Sequence, residues 1–256
     1  MTFKLSKKEI FPIILGSLGF LMILISEIIN QLQGSKILII AWSASIFITI
    51  STFIIRFYSL DTEKFKETIQ ETNPVKSHQL KPIRFLNWIL IAMIVGLIAT
   101  IVIAYDFIIG MIIYLLMQIS LMIAFSGIII ISPKAQMSHP TLRRTFLISI
   151  IFWIVFIPLV FFLFVWNGTE SLIVVPYVVA IGLMACISWF GVGYTQRSKT
   201  FRYCVVLASG LFVFSDLLIG NSRFGTIRID IYFLIDITYV LNILLMSHAQ
   251  LFLNVH

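Results

Sequence analysis

Two aspartates, Asp216 and Asp236, lie inside apolar runs near the C-terminus and are the strongest candidates for acid–base chemistry. A carboxylate at the centre of a membrane helix costs about 2.5–3.5 kcal/mol on insertion scales, so such residues usually face a bundle interior and serve a function. If the two runs are consecutive antiparallel helices with a rise of about 1.5 Å per residue, the carboxyl groups fall within roughly one turn of the same depth. The spacing predicts a buried acidic site formed by Asp216 and Asp236.

Five further residues are expected to contact a substrate at this site: Ser215, Phe212, Tyr239, Asn242 and Gln118. Ser215 precedes Asp216, while Tyr239 and Asn242 follow Asp236 at one-turn intervals. Gln118 lies in the middle of another apolar run, where a glutamine also commonly bonds one helix to another.

Other interpretations stay open for the acidic residues. Either aspartate could be tied to a helix end or to Arg223 and Arg228 in the connecting loop. Glu27 is expected to reach the membrane interface near the end of the first run, and Asp106 to occupy an interfacial corner.

The composition requires these residues to be carried by membrane helices. The 256 residues are 60% hydrophobic and 11% charged, with a mean hydropathy of +1.06. A soluble domain is typically about 45–50% apolar and about 25% charged. Such a chain is stable only where lipid replaces water as the outer solvent, so we expect a multi-pass integral membrane protein.

About 20 residues span the hydrocarbon core, which predicts an all-α bundle of eight transmembrane helices in a single domain. The predicted spans are 11–31, 37–56, 85–104, 107–131, 145–166, 172–194, 203–220 and 230–252. Of the 18 basic residues, all but Lys36, Arg223 and Arg228 then lie on one side. The excess of Lys and Arg on cytoplasmic loops predicts that both termini are cytoplasmic.

The remaining features limit the range of functions. The net charge of +7 follows from this loop bias, so no nucleic-acid partner is expected. Segment 57–84 is polar and is either a short amphipathic surface helix or a solvated linker. The sequence contains no phosphate-binding glycine loop and no His or Cys pair at metal spacing, and we expect neither a metal nor another cofactor. The oligomeric state stays open.

The last two spans resemble the lysoplasmalogenase family, the YhhN-like membrane proteins with eight spans. The similarity rests on Phe212, Ser215-Asp216 and Arg223-Phe224, followed at the family's spacing by Thr238-Tyr239. A second patch in the fourth span is also similar. It comprises Phe107, Gly110, Tyr114, Gln118 and Phe125.

The chain departs from the family pattern at four positions, as a divergent member would. The family's Gly-Asp in the third span falls at Gly96-Leu97, so the second family aspartate is replaced by Leu97. The family's fourth-span histidine falls at Gln118, its seventh-span glycine at Ala208 and its eighth-span glutamine at Ile243.

The resemblance implies hydrolysis of the vinyl ether bond of a lysophospholipid, which releases a fatty aldehyde. This reaction needs one carboxyl that an apolar site holds protonated, and a second that stabilises the cation and activates water. Since Leu97 cannot supply the second, we expect Asp236 to do so.

Two other classes of function remain. The chemistry could be lost, leaving a protein that only binds a single-chain lipid among membrane lipids. The paired acids could instead relay protons in a small transporter, although no broken helices occur at matched positions in two halves.

Overall fold

The computed structural model describes residues 7–33, 38–59, 81–129, 140–193, 197–225 and 232–253. Within these ranges the chain forms eight helices, as predicted. They are α1 (Lys7–Gln33), α2 (Leu38–Ile54), α3 (Lys81–Val102), α4 (Phe107–Ile129), α5 (Pro140–Val160), α6 (Val175–Phe190), α7 (Lys199–Phe224) and α8 (Tyr232–Ala249).

Short irregular turns extend several helices. A π-helical turn, Ile55–Ser59, continues α2, and a second, Phe161–Val165, continues α5. The 3₁₀ turn Thr169–Val174 leads into α6. Asp106 is exposed at the corner between α3 and α4, where its carboxylate caps α4 by accepting a hydrogen bond from the Ile109 amide at 3.0 Å.

In the part of the chain that the structure describes, seven helices are long and apolar enough to cross a membrane, and α2 contributes a shorter apolar segment, Trp42–Tyr58. The protein is therefore a multi-pass integral membrane protein. The cytoplasmic location of both termini stays a prediction. Most of segment 57–84 lies outside the described residues.

Seven of the helices close into a ring. Along the order α1, α2, α3, α4, α6, α7 and α8, each helix packs on the next, and α8 packs back on α1. Helix α8 also contacts α2 and α3, so it leans into the middle of the ring. Helix α5 lies outside and packs on α6, with large apolar side chains such as Ile151 and Ile154 exposed to the surrounding lipid.

The contact of α1 with α2 and α8 depends on the carbonyl group of Pro12. This oxygen accepts a hydrogen bond from the Ser51 hydroxyl at 2.7 Å and lies 3.3 Å from Nε2 of His248. A second buried bond joins the Thr52 and Ser247 hydroxyls at 2.8 Å. Polar bonds of this kind hold membrane helices together because lipid offers no alternative partners.

The expectation that Glu27 reaches the interface is wrong. Its side chain is fully buried, and Asn30 donates to Glu27 Oε2 at 3.5 Å. Since α1 packs on both α2 and α8, the face of α1 that carries Glu27 is directed into the bundle.

Candidate functional site

A cavity lies between α4, α6 and α7. It is near the end of the bundle at which α3 turns into α4, and we call this end the corner end. Its empty space is about 610 Å³ when the open solvent at its boundary is included. Its wall is formed mainly by aliphatic and aromatic side chains. Tyr114, Tyr177 and Asp216 are the only lining residues with polar side chains among the residues described.

Asp216 is placed on the cavity wall by the long helix α7. That helix begins at the N-cap Ser198, whose hydroxyl accepts a hydrogen bond from the Phe201 amide at 3.1 Å. It ends at Gly225, and Asp216 therefore lies about two turns inside the corner end. The carboxylate is surrounded by apolar residues such as Val213, Leu217 and Ile181, which also line the cavity.

Tyr177 holds the Asp216 carboxylate from the opposite wall. Its hydroxyl donates a hydrogen bond to Oδ2 of Asp216. Tyr177 stands in the first turn of α6, directly after Pro176, whose missing N–H costs no bond at a helix start. The amide of Gln118 is fully buried, and neither of its polar atoms has a hydrogen-bond partner within the described residues.

A cluster of three hydroxyls lies behind the cavity. Thr100 of α3 lies 2.8 Å from the Tyr114 hydroxyl and 3.0 Å from the Tyr239 hydroxyl, and donates to the Gly96 carbonyl at 2.8 Å. The two tyrosine rings meet edge to face, with centroids 5.8 Å apart. Because Tyr114 also lines the cavity, this cluster connects the site to α3 and α8.

The corner end of the cavity, which we call its mouth, is bordered by an aromatic pair. The rings of Phe107 and Phe224 meet edge to face at 5.9 Å, and both line the cavity. The Arg223 guanidinium lies 4.9 Å from the centroid of the Phe107 ring. A cation over an aromatic face is attracted by the ring quadrupole, so this contact helps hold the mouth in shape.

The structure places the other predicted binding residues behind the wall of the cavity. Phe212 is fully buried, with its ring 6.3 Å from that of Tyr239. Ser215 faces α8 and donates to the Ile235 carbonyl at 3.2 Å. Asn242 is fully buried, and neither amide atom has a hydrogen-bond partner within the described ranges.

The two aspartates stand in different surroundings. Asp216 lines the cavity, while Asp236, half-buried in the second turn of α8, is not one of its lining residues. Adjacent helical positions point about 100° apart. The α7 face that meets α8 therefore carries Ser215, whereas Asp216 points toward α6. A catalytic role for Asp236 stays a prediction.

Sequence reasoning missed Tyr177 and Thr100. Tyrosines and threonines in apolar runs are ordinary membrane-helix residues, so composition and spacing do not mark these two. Tyr177 could have been found from its position directly after a helix-starting proline, level with Asp216 in the adjacent helix. Across the described ranges, no group of three or more His, Cys, Asp and Glu side chains could hold a metal ion.

Comparison with known proteins identifies a family that the chain matches. No curated protein and no solved structure matches it significantly. The YhhN family matches residues 75–249, which include α3 to α8 and every residue that lines the cavity. A match over more than half of the chain shows that this protein belongs to the YhhN family, the lysoplasmalogenase family.

Proposed function

We propose that this protein hydrolyses the vinyl ether bond of a lysophospholipid in the cavity between α4, α6 and α7, with Asp216 as the proton donor. The main support is the position of Asp216, which is a carboxyl in an apolar cavity that accepts a hydrogen bond from Tyr177. Membership of the family gives the reaction class.

The reaction starts with proton transfer from the Asp216 carboxyl to the enol carbon of the alkenyl chain. The carbon–carbon double bond supplies the electron pair, and an oxocarbenium ion forms at the carbon next to the ether oxygen. The carboxylate left behind stabilises this cation electrostatically, which is most effective where water is excluded.

Water then adds to the cationic carbon and gives its proton to the Asp216 carboxylate, which restores the acid. The resulting hemiacetal breaks its bond to the glycerol oxygen, and that oxygen takes up the hydroxyl proton. The products are a fatty aldehyde and a glycerophospho-alcohol, so one water is consumed and no other reactant is needed. In this proposal Asp216 acts as acid and then as base, and so also fills the role that the sequence led us to expect of a second carboxyl.

Tyr177 supports both states of Asp216. Its hydroxyl donates to Oδ2, and a hydrogen bond to an ionised acceptor is worth about 1.5–3 kcal/mol. The bond is therefore strongest when the carboxylate faces the oxocarbenium ion. It also fixes the orientation of the carboxyl before the reaction.

A lipid-binding protein without chemistry is the second candidate. It is favoured by Leu97, a half-buried apolar residue where the family carries its second aspartate, and by the absence of Asp236 from the cavity wall. The cavity would then hold a single-chain lipid, and Asp216 would only position it.

Asp216→Asn tests the hydrolase proposal. The amide has nearly the same shape but cannot deliver the proton, so we expect kcat to fall by about 10²–10⁴, the usual contribution of a general acid. The measurement is aldehyde release from a defined lysoplasmalogen by the purified protein in detergent micelles. Asp236→Asn, measured in parallel, shows whether the second aspartate contributes.

Asp106→Asn is the matched control, since Asp106 is exposed at the α3–α4 corner, outside the cavity. It should retain wild-type turnover. Full turnover by a folded Asp216→Asn protein would refute the proposal. A wild-type protein that binds the lysoplasmalogen but releases no aldehyde would support the lipid-binding alternative.

A further inference from the structure

We propose that Arg223 is a phosphate-binding residue at the mouth of the cavity, which selects lipids with one chain and a phosphate head group. This inference rests on the proposed function, because it assumes that the chain enters the cavity and the reacting bond stops at Asp216. It adds a contact for the phosphate head group, which the apolar cavity itself does not bind.

The position of Arg223 carries the argument. Its guanidinium lies over the Phe107 ring, 4.9 Å from the ring centroid, and Phe107 contacts Phe224, so the cation lies beside two rings that line the cavity. The side chain is exposed, so an anion arriving at the mouth can reach it. The guanidinium carries five N–H donors, so contact with one aromatic ring does not use up its capacity for hydrogen bonds.

The chemistry of arginine fits a phosphate at this place. The fork of N–H donors forms two parallel, charge-assisted hydrogen bonds to phosphate oxygens, and because the fork is planar and pre-organised, little freedom is lost for each bond formed. Among the residues that the structure describes, Arg223 is the one basic residue at the corner end of the bundle.

The spacing along α7 matches the shape of the lipid. Asp216 and Arg223 are seven residues apart, which places them on one helix face with an axial separation of about 10.5 Å. Helical side chains lean toward the N-terminus of their helix, and Asp216 lies on the N-terminal side of Arg223 in α7. In a lysophospholipid only the glycerol unit separates the ether oxygen from the phosphate. A phosphate held at Arg223 therefore leaves the reacting bond near Asp216 and the chain in the apolar cavity.

An acidic neighbour does not cancel the site. Asp106 precedes Phe107 in the chain, but its carboxylate accepts the Ile109 amide as the cap of α4. The neighbouring aromatic residue, Tyr105, is directed toward Trp42, with ring centroids 6.3 Å apart. Asp106 keeps its negative charge but forms no ion pair with Arg223 among the residues described, so it does not occupy the guanidinium donors.

The test compares two lipids with the same acyl chain, lysophosphatidylcholine and monoacylglycerol, through the thermal stabilisation each gives to the purified protein. Neither has a vinyl ether, so binding is read without turnover. We expect lysophosphatidylcholine to half-saturate the wild-type protein at a concentration at least about tenfold lower than monoacylglycerol does. Arg223→Gln should weaken lysophosphatidylcholine binding about tenfold or more and leave monoacylglycerol binding unchanged.

Arg143→Gln is the matched control, because Arg143 is an exposed arginine in the first turn of α5, outside the cavity. It should behave as the wild-type protein does. Arg223→Lys keeps the charge but lacks the fork, so it should retain only part of the preference. It also keeps the test valid if Arg223→Gln fails to fold.

Three results would overturn the inference. The first is an unchanged preference in Arg223→Gln or, if that variant does not fold, in Arg223→Lys. The second is wild-type protein without a preference for lysophosphatidylcholine. The third is equal protection by inorganic phosphate, which would indicate a site for free phosphate instead of a lipid head group. Arg223→Gln could lose the preference for lysophosphatidylcholine while the wild-type protein releases no aldehyde from a lysoplasmalogen. That result would support the phosphate site and contradict the hydrolase proposal.

Discussion

At the scale of single residues, Asp216 and Tyr177 form a pair across the cavity, one from α7 and one from α6. The pair explains how an acidic side chain is tolerated in an apolar place. A charged or dipolar group in lipid is costly unless a hydrogen-bonding partner replaces the lost water. The tyrosine provides that partner and adds no charge.

Tyr177→Phe removes the hydroxyl and leaves the ring in place. If Asp216 acts as proposed, kcat should decrease about tenfold to a hundredfold, since a hydrogen bond to a charged group contributes about 1.5–3 kcal/mol. KM should change little because the aromatic wall is retained. The measurement is steady-state aldehyde release across a pH series, where loss of the bond should also shift the profile.

Tyr203→Phe provides the comparison, because Tyr203 is an exposed tyrosine on α7 that does not line the cavity. Its kinetics should match those of the wild-type protein. A Tyr177→Phe protein with unaltered kcat and pH profile would show that the hydroxyl is a structural contact only.

The aspartate could be predicted from the sequence, whereas its partner could not. A carboxyl inside an apolar run is conspicuous because its insertion cost is high. Tyr177 is inconspicuous, since tyrosine is common in membrane helices. The position of Glu27 was predicted wrongly. Its closeness to a helix end suggested the interface, but which face of α1 packs on α2 and α8 is a tertiary property that no local pattern encodes.

At the scale of elements, hydrophobic length identified the helices because a bilayer fixes how many apolar residues each needs. The ends were less predictable. Helix α7 continues to Phe224, four residues past the predicted limit. That limit falls at the end of the apolar run, and the helix goes on through the polar residues Asn221 and Arg223. There the Asn221 amide donates to the Phe164 carbonyl at 2.9 Å, which joins α7 to the end of α5.

The hairpin of α3 and α4 depends on a close approach at Gly110. A Cβ at this position would lie 2.6 Å from Cα of Ile103 and 2.8 Å from its backbone nitrogen, which cannot move aside as a side chain can. We expect Gly110→Ala to destabilise the protein by about 1–3 kcal/mol, as overpacking typically does. Thermal unfolding in detergent should show a lower Tm.

Gly210→Ala makes the same chemical change in α7, where a Cβ would meet no atom within 4 Å. Alanine is the better helix former by about 1 kcal/mol, so this variant should be as stable as the wild-type protein or more so. Equal melting temperatures for the two variants would contradict the close packing of α3 on α4. Since Phe107 and Met111 flank Gly110 and line the cavity, Gly110→Ala should also weaken lipid binding.

At the scale of the whole molecule, ring closure brings together patches that are distant in sequence. Phe107 of α4 meets Arg223 and Phe224 at the end of α7, and Tyr114 meets Tyr239. The resemblance to the family rested on these same residues in two separate patches. Their spacing could be read from the sequence, but their contact could not, because it depends on how α7 and α8 close the ring against α3 and α4.

The orientation of the protein can be tested with single cysteines. Cys186 and Cys204 are first replaced by alanine, and a cysteine is placed at exposed Asn167, between α5 and α6, or at exposed Thr141, at the start of α5. The charge bias predicts that both termini are cytoplasmic. An impermeant thiol reagent should then label Asn167→Cys in intact cells, and Thr141→Cys only after permeabilisation. The reverse pattern would show the opposite orientation.

The location of the cavity at one end of the bundle determines the membrane leaflet from which lipids can enter it. Its lining comes from the α3–α4 corner, the end of α5, the start of α6 and the last turns of α7, so its mouth lies near one membrane surface. A lipid with a charged head group crosses a bilayer slowly because the head group must leave water. Only lipids of the leaflet on that side would reach Asp216, and with the predicted orientation the protein would draw on the non-cytoplasmic leaflet alone.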